Sequence, residues 1–214
     1  MDVGELNRIV AQISAFSPAL PMVVAGVLVF RKTLDKKMMP IVALLIASFL
    51  SDQFALWLAR TYQNSMPASH LYGFLHAVIL FWFFCQVIPE SKKLVIVIGA
   101  SYLVLYVLNS AFNETIFTYN SLAKVVQNLT FISVAFWYFF DVYRSEDIPS
   151  LEKSGIFWAV VAIFIYHSGA LFTHLLSSKI LNTGGFFGSW VIHNLFNITK
   201  NLLFGMALWI SRIR

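Results

Sequence analysis

The stretch Trp190–Trp209, WVIHNLFNITKNLLFGMALW, decides how the whole chain is read. It is apolar enough to cross a bilayer, yet it carries His193, Asn197 and Lys200. These stand at i, i+4 and i+7, with Phe204 at i+11, so on a helix they form one stripe. Lys200 lies about 16 Å into the segment at 1.5 Å per residue, near the midplane of a hydrocarbon core about 30 Å thick. A lysine there costs about 2.5–3.5 kcal/mol on insertion scales, so it must face protein or water rather than lipid. The rest of the chain has to supply what this stripe faces.

Of the 214 residues, 59% are hydrophobic and 12% charged. A soluble domain carries about 25% charged residues, so the composition describes an integral membrane protein with the lipid bilayer as its solvent. The lead-in to the first apolar segment holds Asp2 and Glu5 against Arg8, which is not the basic start of a cleavable signal peptide. Cys85 is the only cysteine, which excludes an internal disulfide and a thiolate metal cluster. The net charge of +5 gathers in short links and not on a soluble module, so no nucleic-acid partner is expected.

The expected fold class is all-α, a single domain over 1–214 forming a bundle of seven transmembrane helices. The spans are expected near 13–30, 38–60, 70–88, 94–112, 121–143, 155–177 and 189–211. The links after the first, third and fifth spans hold Arg31, Lys32, Lys36, Lys37, Lys92, Lys93, Arg144 and Lys153, and the chain closes on Arg212 and Arg214. The other side has Arg8, Arg60 and Lys179 near its ends. By the positive-inside rule the N-terminus is outside and the C-terminus cytoplasmic.

Polar residues cluster within these spans. Ser17-Pro18 and Pro21 predict a kink in the first. The second carries Ser48, Ser51, Asp52 and Gln53; the third opens with His70 and places Tyr72 and His76 on one face. Its Phe81–Phe84 run reads as core or lipid contact. Tyr102, Tyr106 and Asn109 form a stripe on the fourth, and Lys124, Gln127 and Asn128 lie in the outer part of the fifth. The sixth carries Tyr166, His167, Ser168 and His174. The glycine-rich link Asn182–Ser189 is expected to be a mobile lid. Asn113-Glu114-Thr115 fits a glycosylation sequon, relevant only in a eukaryotic secretory route.

Nearly all of these residues fall in the outer half or at the midplane, whereas the inner halves are almost wholly Leu, Ile, Val and Phe. That asymmetry predicts a pocket near the outer surface closed beneath by an apolar plug. A through-pore needs polar residues at both depths, and a transporter of broken helices needs paired repeats; neither is present. The expected ligand-binding residues are Asp52, Tyr72, His76, Lys124, Asn128, His167, His193, Asn197 and Lys200. Asp52 and Lys200 are expected to approach as a pair, since each is costly alone. His70 and His174 read as interfacial histidines with satisfied hydrogen bonds, and Asn109 as a residue that holds helices together.

A cofactor is permitted and not required. His76, His167 and His193 are the candidate metal or haem ligands, although no HxxxH or HExxH pair exists. Lys200 is placed as a retinal-bearing lysine would be, but the preceding turn has Phe196 where microbial rhodopsins have an aspartate. No serine nucleophile motif and no phosphate-binding glycine loop appears, so an enzyme is not the favoured reading.

Several short motifs carry a likeness. They are His70-Leu-Tyr72, Tyr119-Asn-Ser-Leu-Ala123, Phe157-Trp158, Tyr166-His-Ser-Gly169 and Trp190-Val-Ile-His193 with Asn197 and Asn201. Through them the chain resembles, over most of its length, a family of seven-helix membrane proteins widespread in Bacteroidetes-type bacteria. Members stand alone or precede histidine kinases. The family usually has an acid where this chain has His76 and an aromatic where it has His167, so this chain departs from it at both. The resemblance implies the seven-helix fold and a bacterial inner (plasma) membrane location, and it carries over no activity. The reading is a receptor-like sensory module that takes a small-molecule ligand in its outer half and signals to a separate cytoplasmic partner, such as a histidine kinase. The alternatives are a haem- or metal-binding protein, a structural or assembly subunit, and a retinal protein through Lys200.

Overall fold

A computed structural model describes residues 3–145, 150–183 and 186–212, with side chains for 5–145, 150–175 and 190–212. Among them all regular structure is helical: α1 (Val3–Phe16), α2 (Ala19–Phe30), α3 (Met39–Tyr62), α4 (Met66–Val87), α5 (Lys92–Phe112), α6 (Ser121–Arg144), α7 (Gly155–Thr183) and α8 (Phe186–Ile210). Short 3-10 turns at Lys36–Met38 and Leu151–Lys153 precede α3 and α7. Among the described residues six helical segments are long and apolar enough to cross a membrane: 5–30, 36–62, 66–87, 92–112, 121–144 and 155–175. The chain is therefore a multi-pass helical membrane protein. α8 is not among the six, and it is the helix that carries His193, Asn194, Asn197, Lys200 and Asn201.

α1 and α2 together make the first of these spans, broken where the sequence predicts. Pro18 has no N–H to give to the carbonyl of Ser14, four residues back. Ser17 takes that carbonyl instead, through its backbone N at 3.2 Å and its Oγ at 2.7 Å. The span begins near residue 5 and not 13, because Leu6, Ile9, Val10 and Ile13 keep helical spacing through the polar residues Asn7, Arg8 and Gln12.

Other boundaries differ for local reasons. α4 starts at Met66 and not 70. Pro67 suits a first helical turn, and Asn64 Oδ1 accepts the Met66 N–H at 2.9 Å. α3 runs to Tyr62 and is stopped by Gln63 at φ 56°. α7 continues to Thr183 and α8 begins at Phe186, so helix takes up most of the expected lid at Asn182–Ser189. Residues 184–185 and the side chains of 176–189, Lys179 among them, lie outside the described residues.

The helices close into a ring. α8 packs mainly on α7, α1 and α2; α7 also packs on α6, α4 on α3 and α5, and α2 on α3. The upper end is taken here as the one where α3 passes to α4 and α5 to α6. In the lower half Phe83, Phe84, Phe131, Phe204, Leu80 and Ile163 are almost completely buried. In the Phe81–Phe84 run three rings turn inward and Trp82, 47% exposed, turns out. The α7–α8 contact is close because Gly169 faces Phe196, and a Cβ at Gly169 would collide with that ring.

Candidate ligand-binding cavity

A cavity of about 260 Å³ opens among the upper halves of α1, α3, α4, α6, α7 and α8. α3 contributes Ser48, Ser51 and Asp52, and α4 contributes Ser69, Tyr72 and His76. α6 adds Lys124, Gln127 and Asn128, α7 adds Tyr166, His167 and His174, and α8 adds Trp190, His193, Asn194 and Asn197. Ala11, Ser14 and Ala15 of α1 close the side. Phe131 lies beneath, its ring 5.1 Å from that of His167 and 6.2 Å from that of His76.

The histidine tautomers can be argued outward from fixed carbonyls. Gln127 Nε2 donates to the Gly73 carbonyl at 3.2 Å, which identifies it as the amide nitrogen. The same nitrogen lies 3.1 Å from His76 Nδ1, so Nδ1 accepts and His76 Nε2 carries the proton. His167 Nδ1 lies 2.7 Å from Asn128 Oδ1 and donates to it. That leaves His167 Nε2 a lone-pair acceptor and Asn128 Nδ2 a donor. Both atoms are buried without a partner, as is His193 Nδ1. If the Asn128 amide is turned over, the roles exchange, and the pair still presents one free donor and one free acceptor. An unmet buried polar group costs about 1–3 kcal/mol. Asn7 Oδ1, Gln53 Nε2 and Asn201 Oδ1 are unmet singly elsewhere, whereas these three gather at one cavity and point to something that meets them.

Lys200 departs from expectation. It is 2% exposed and does not line the cavity. Its Nζ donates to Asn197 Oδ1 at 2.7 Å and sits 4.2 Å from the centroid of the Tyr166 ring, a cation–π contact. The expected pair with Asp52 does not close into a direct contact; the two charges attract each other only through space. The ammonium is instead held through Asn197, whose Nδ2 donates to Ser14 Oγ at 2.9 Å. One turn on, Asn201 Nδ2 donates to Ser17 Oγ at 2.6 Å. Asn197 is thus both cavity lining and the bolt between α8 and α1.

The other eight expected residues come together: Asp52, Tyr72, His76, Lys124, Asn128, His167, His193 and Asn197 all border the cavity. Lys124 Nζ donates to Ser69 Oγ at 2.7 Å and faces the Tyr119 ring at 4.5 Å. Tyr119 Oη shares a 2.5 Å hydrogen bond with His174 Nδ1. Among the described residues no three of His, Cys, Asp and Glu come within reach of one metal ion, so the candidate ligands His76, His167 and His193 do not converge. His76 and His167 stand edge to face at 5.3 Å, with no gap for a porphyrin between them.

Sequence reading named Tyr166, Trp190 and Tyr119 without counting them in the site, and it passed over Ser69. Tyr166 had a signal, since it stands beside His167 in the polar run of α7. Tyr119 precedes α6, and nothing in the sequence places a link residue against Lys124 and His174.

Compared with known proteins, the chain matches no protein-family model, no curated protein and no solved structure.

Proposed function

We propose that this chain is a receptor-like sensory module of seven membrane-spanning helices. A small polar molecule binds in the cavity, and a separate cytoplasmic partner reads the result. One observation carries the reading: a cavity bordered by six helices, with the unpartnered buried atoms Asn128 Nδ2, His167 Nε2 and His193 Nδ1 at its wall. The asymmetry of the bundle supports it, because the cavity lies in one half and the other is packed with Phe and Leu. A bound molecule that draws these groups together shifts helices only by its differential contact with two arrangements. In this reading α8 supplies the seventh span, the basic links favour an N-terminus outside, and the resemblance implies a bacterial inner membrane. The motif resemblance to the sensor-associated family of Bacteroidetes-type bacteria agrees with this placement, and a histidine kinase is the kind of partner it suggests.

Native mass spectrometry of detergent-purified protein tests the reading. A bound small molecule is expected in the wild type and absent in the double variant Asn128→Leu/His167→Phe, which should melt no lower than wild type. A molecule retained by that variant, or a wild type that takes up none, overturns the proposal.

A further inference from the structure

The cavity walls differ in hydrogen-bonding sense, and the difference names a ligand class. On α6, Lys124 and Asn128 stand at i, i+4 and turn to the same side. Lys124 Nζ spends one of its three N–H groups on Ser69 Oγ and sets one side against Tyr119, so donor capacity remains. Asn128, 3% exposed, has its Nδ2 entirely unpartnered. This wall gives protons and carries a positive charge.

Across the cavity α3 presents Asp52. It borders the space and, among the described residues, makes no hydrogen bond and no close ion pair; the Lys200 ammonium acts on it only from a distance, and Lys124 stands on another helix. A carboxylate accepts and never donates. α4 stands between α3 and α6, so the two walls do not adjoin. Asp52 sits about 15 Å below the upper end of α3, and Lys124 about 4.5 Å below the start of α6, at 1.5 Å per residue. Tyr72 also borders the space, and an aromatic ring suits a cation held by a carboxylate, whereas the Tyr166 ring already carries the Lys200 ammonium. The two charges thus stay apart with a cavity between them, which is costly when empty and favourable when something bridges them.

We infer that the cavity binds a small zwitterion, an amino-acid-like molecule whose ammonium meets Asp52 and whose carboxylate meets Lys124 and Asn128. The inference rests on the cavity being a ligand site. A volume of about 260 Å³ admits a molecule the size of an amino acid. No bond is made or broken in this binding.

The test is calorimetric titration of the full chain in lipid nanodiscs. The probes are the ω-amino acids from glycine to 6-aminohexanoate, with the amine and the carboxylate of each chain length as single-charge controls. One of the zwitterions should bind at least about tenfold more tightly than both of its controls. Asp52→Asn should reduce that zwitterion to the level of its carboxylate control, and Lys124→Gln to the level of its amine. Melting curves of both variants establish that they are folded. If a single-charge control binds as well as its zwitterion, or if native mass spectrometry finds an uncharged occupant while no zwitterion binds, the zwitterion inference falls and the cavity reading stands. If nothing binds and no occupant is found, both fall.

Discussion

His70 and His167 are both buried histidines, 5% and 1% exposed, and their bonding could hardly differ more. His70 Nε2 donates to the Thr118 carbonyl at 2.9 Å, and its Nδ1 accepts from Asn120 Nδ2 at 3.3 Å. Around it Asn109 Nδ2 donates to Asn120 Oδ1 at 3.0 Å and to Glu114 Oε2 at 2.8 Å. Glu114 in turn accepts from the backbone N and Oγ of Ser121, at 3.2 and 2.6 Å, and so caps the start of α6. Tyr106 Oη donates to the His70 carbonyl at 2.7 Å. His167, by contrast, has one nitrogen met and one empty. Polar groups that saturate one another hold helices in register; polar groups left open at a cavity wall await a partner from outside the fold.

Paired substitutions put that contrast under the greatest strain. Replacing both members of a hydrogen-bonded pair by apolar groups is nearly neutral only when neither has other partners. His70→Phe/Asn120→Leu strands the Thr118 carbonyl and an Asn109 amide, and should cost about 3 kcal/mol or more in denaturant unfolding in detergent. Glu114→Ala, which uncaps α6 and releases Asn109, should cost about 2–3 kcal/mol in the same measurement. Gly169→Ala tests the rigidity of the cavity wall through the α7–α8 contact. Its Cβ meets Phe196, so a loss of about 2 kcal/mol is expected.

Smaller effects belong to the cavity side. Lys200→Met removes a buried ammonium and leaves Asn197 Oδ1 without its donor, so these opposing changes should leave stability within about 1 kcal/mol. A loss of several kcal/mol would place Lys200 with the saturated cluster. Asn128→Leu/His167→Phe should change stability least, by less than about 1 kcal/mol or with a gain, while abolishing ligand uptake. Should this pair prove as costly as His70 with Asn120, open valence would no longer separate site from scaffold.

How much of this was legible before folding depends on the range of the information. Helical spans follow from apolar runs, and the break at Pro18 follows from one missing N–H, so both could be read locally. Lys124 with Asn128, and Tyr72 with His76, share a face by helical spacing alone. Which faces meet is a property of six helices at once. Asp52 and Lys200 looked like natural partners by depth, yet Lys200 is taken by Asn197 and Tyr166, whose claim depends on how α7 and α8 are rotated. The cap that Glu114 gives α6 comes from seven residues ahead of Ser121, across a link whose path no spacing rule predicts.

The polar stripe of α8 also bears on how the protein is made. α8 is the helix least able to leave water for lipid unaided, since Lys200 and Asn197 would arrive with only each other and Asn201 with none of its partners on α8. Ser14 on α1, Ser17 at the break after it and Tyr166 on α7 are the groups that receive them. Every one of these precedes α8 in the chain, so during synthesis the groove is assembled before its occupant emerges. Insertion of α8 is then a docking step onto earlier helices, and a ribosome that delivered it first would deliver it to the wrong solvent.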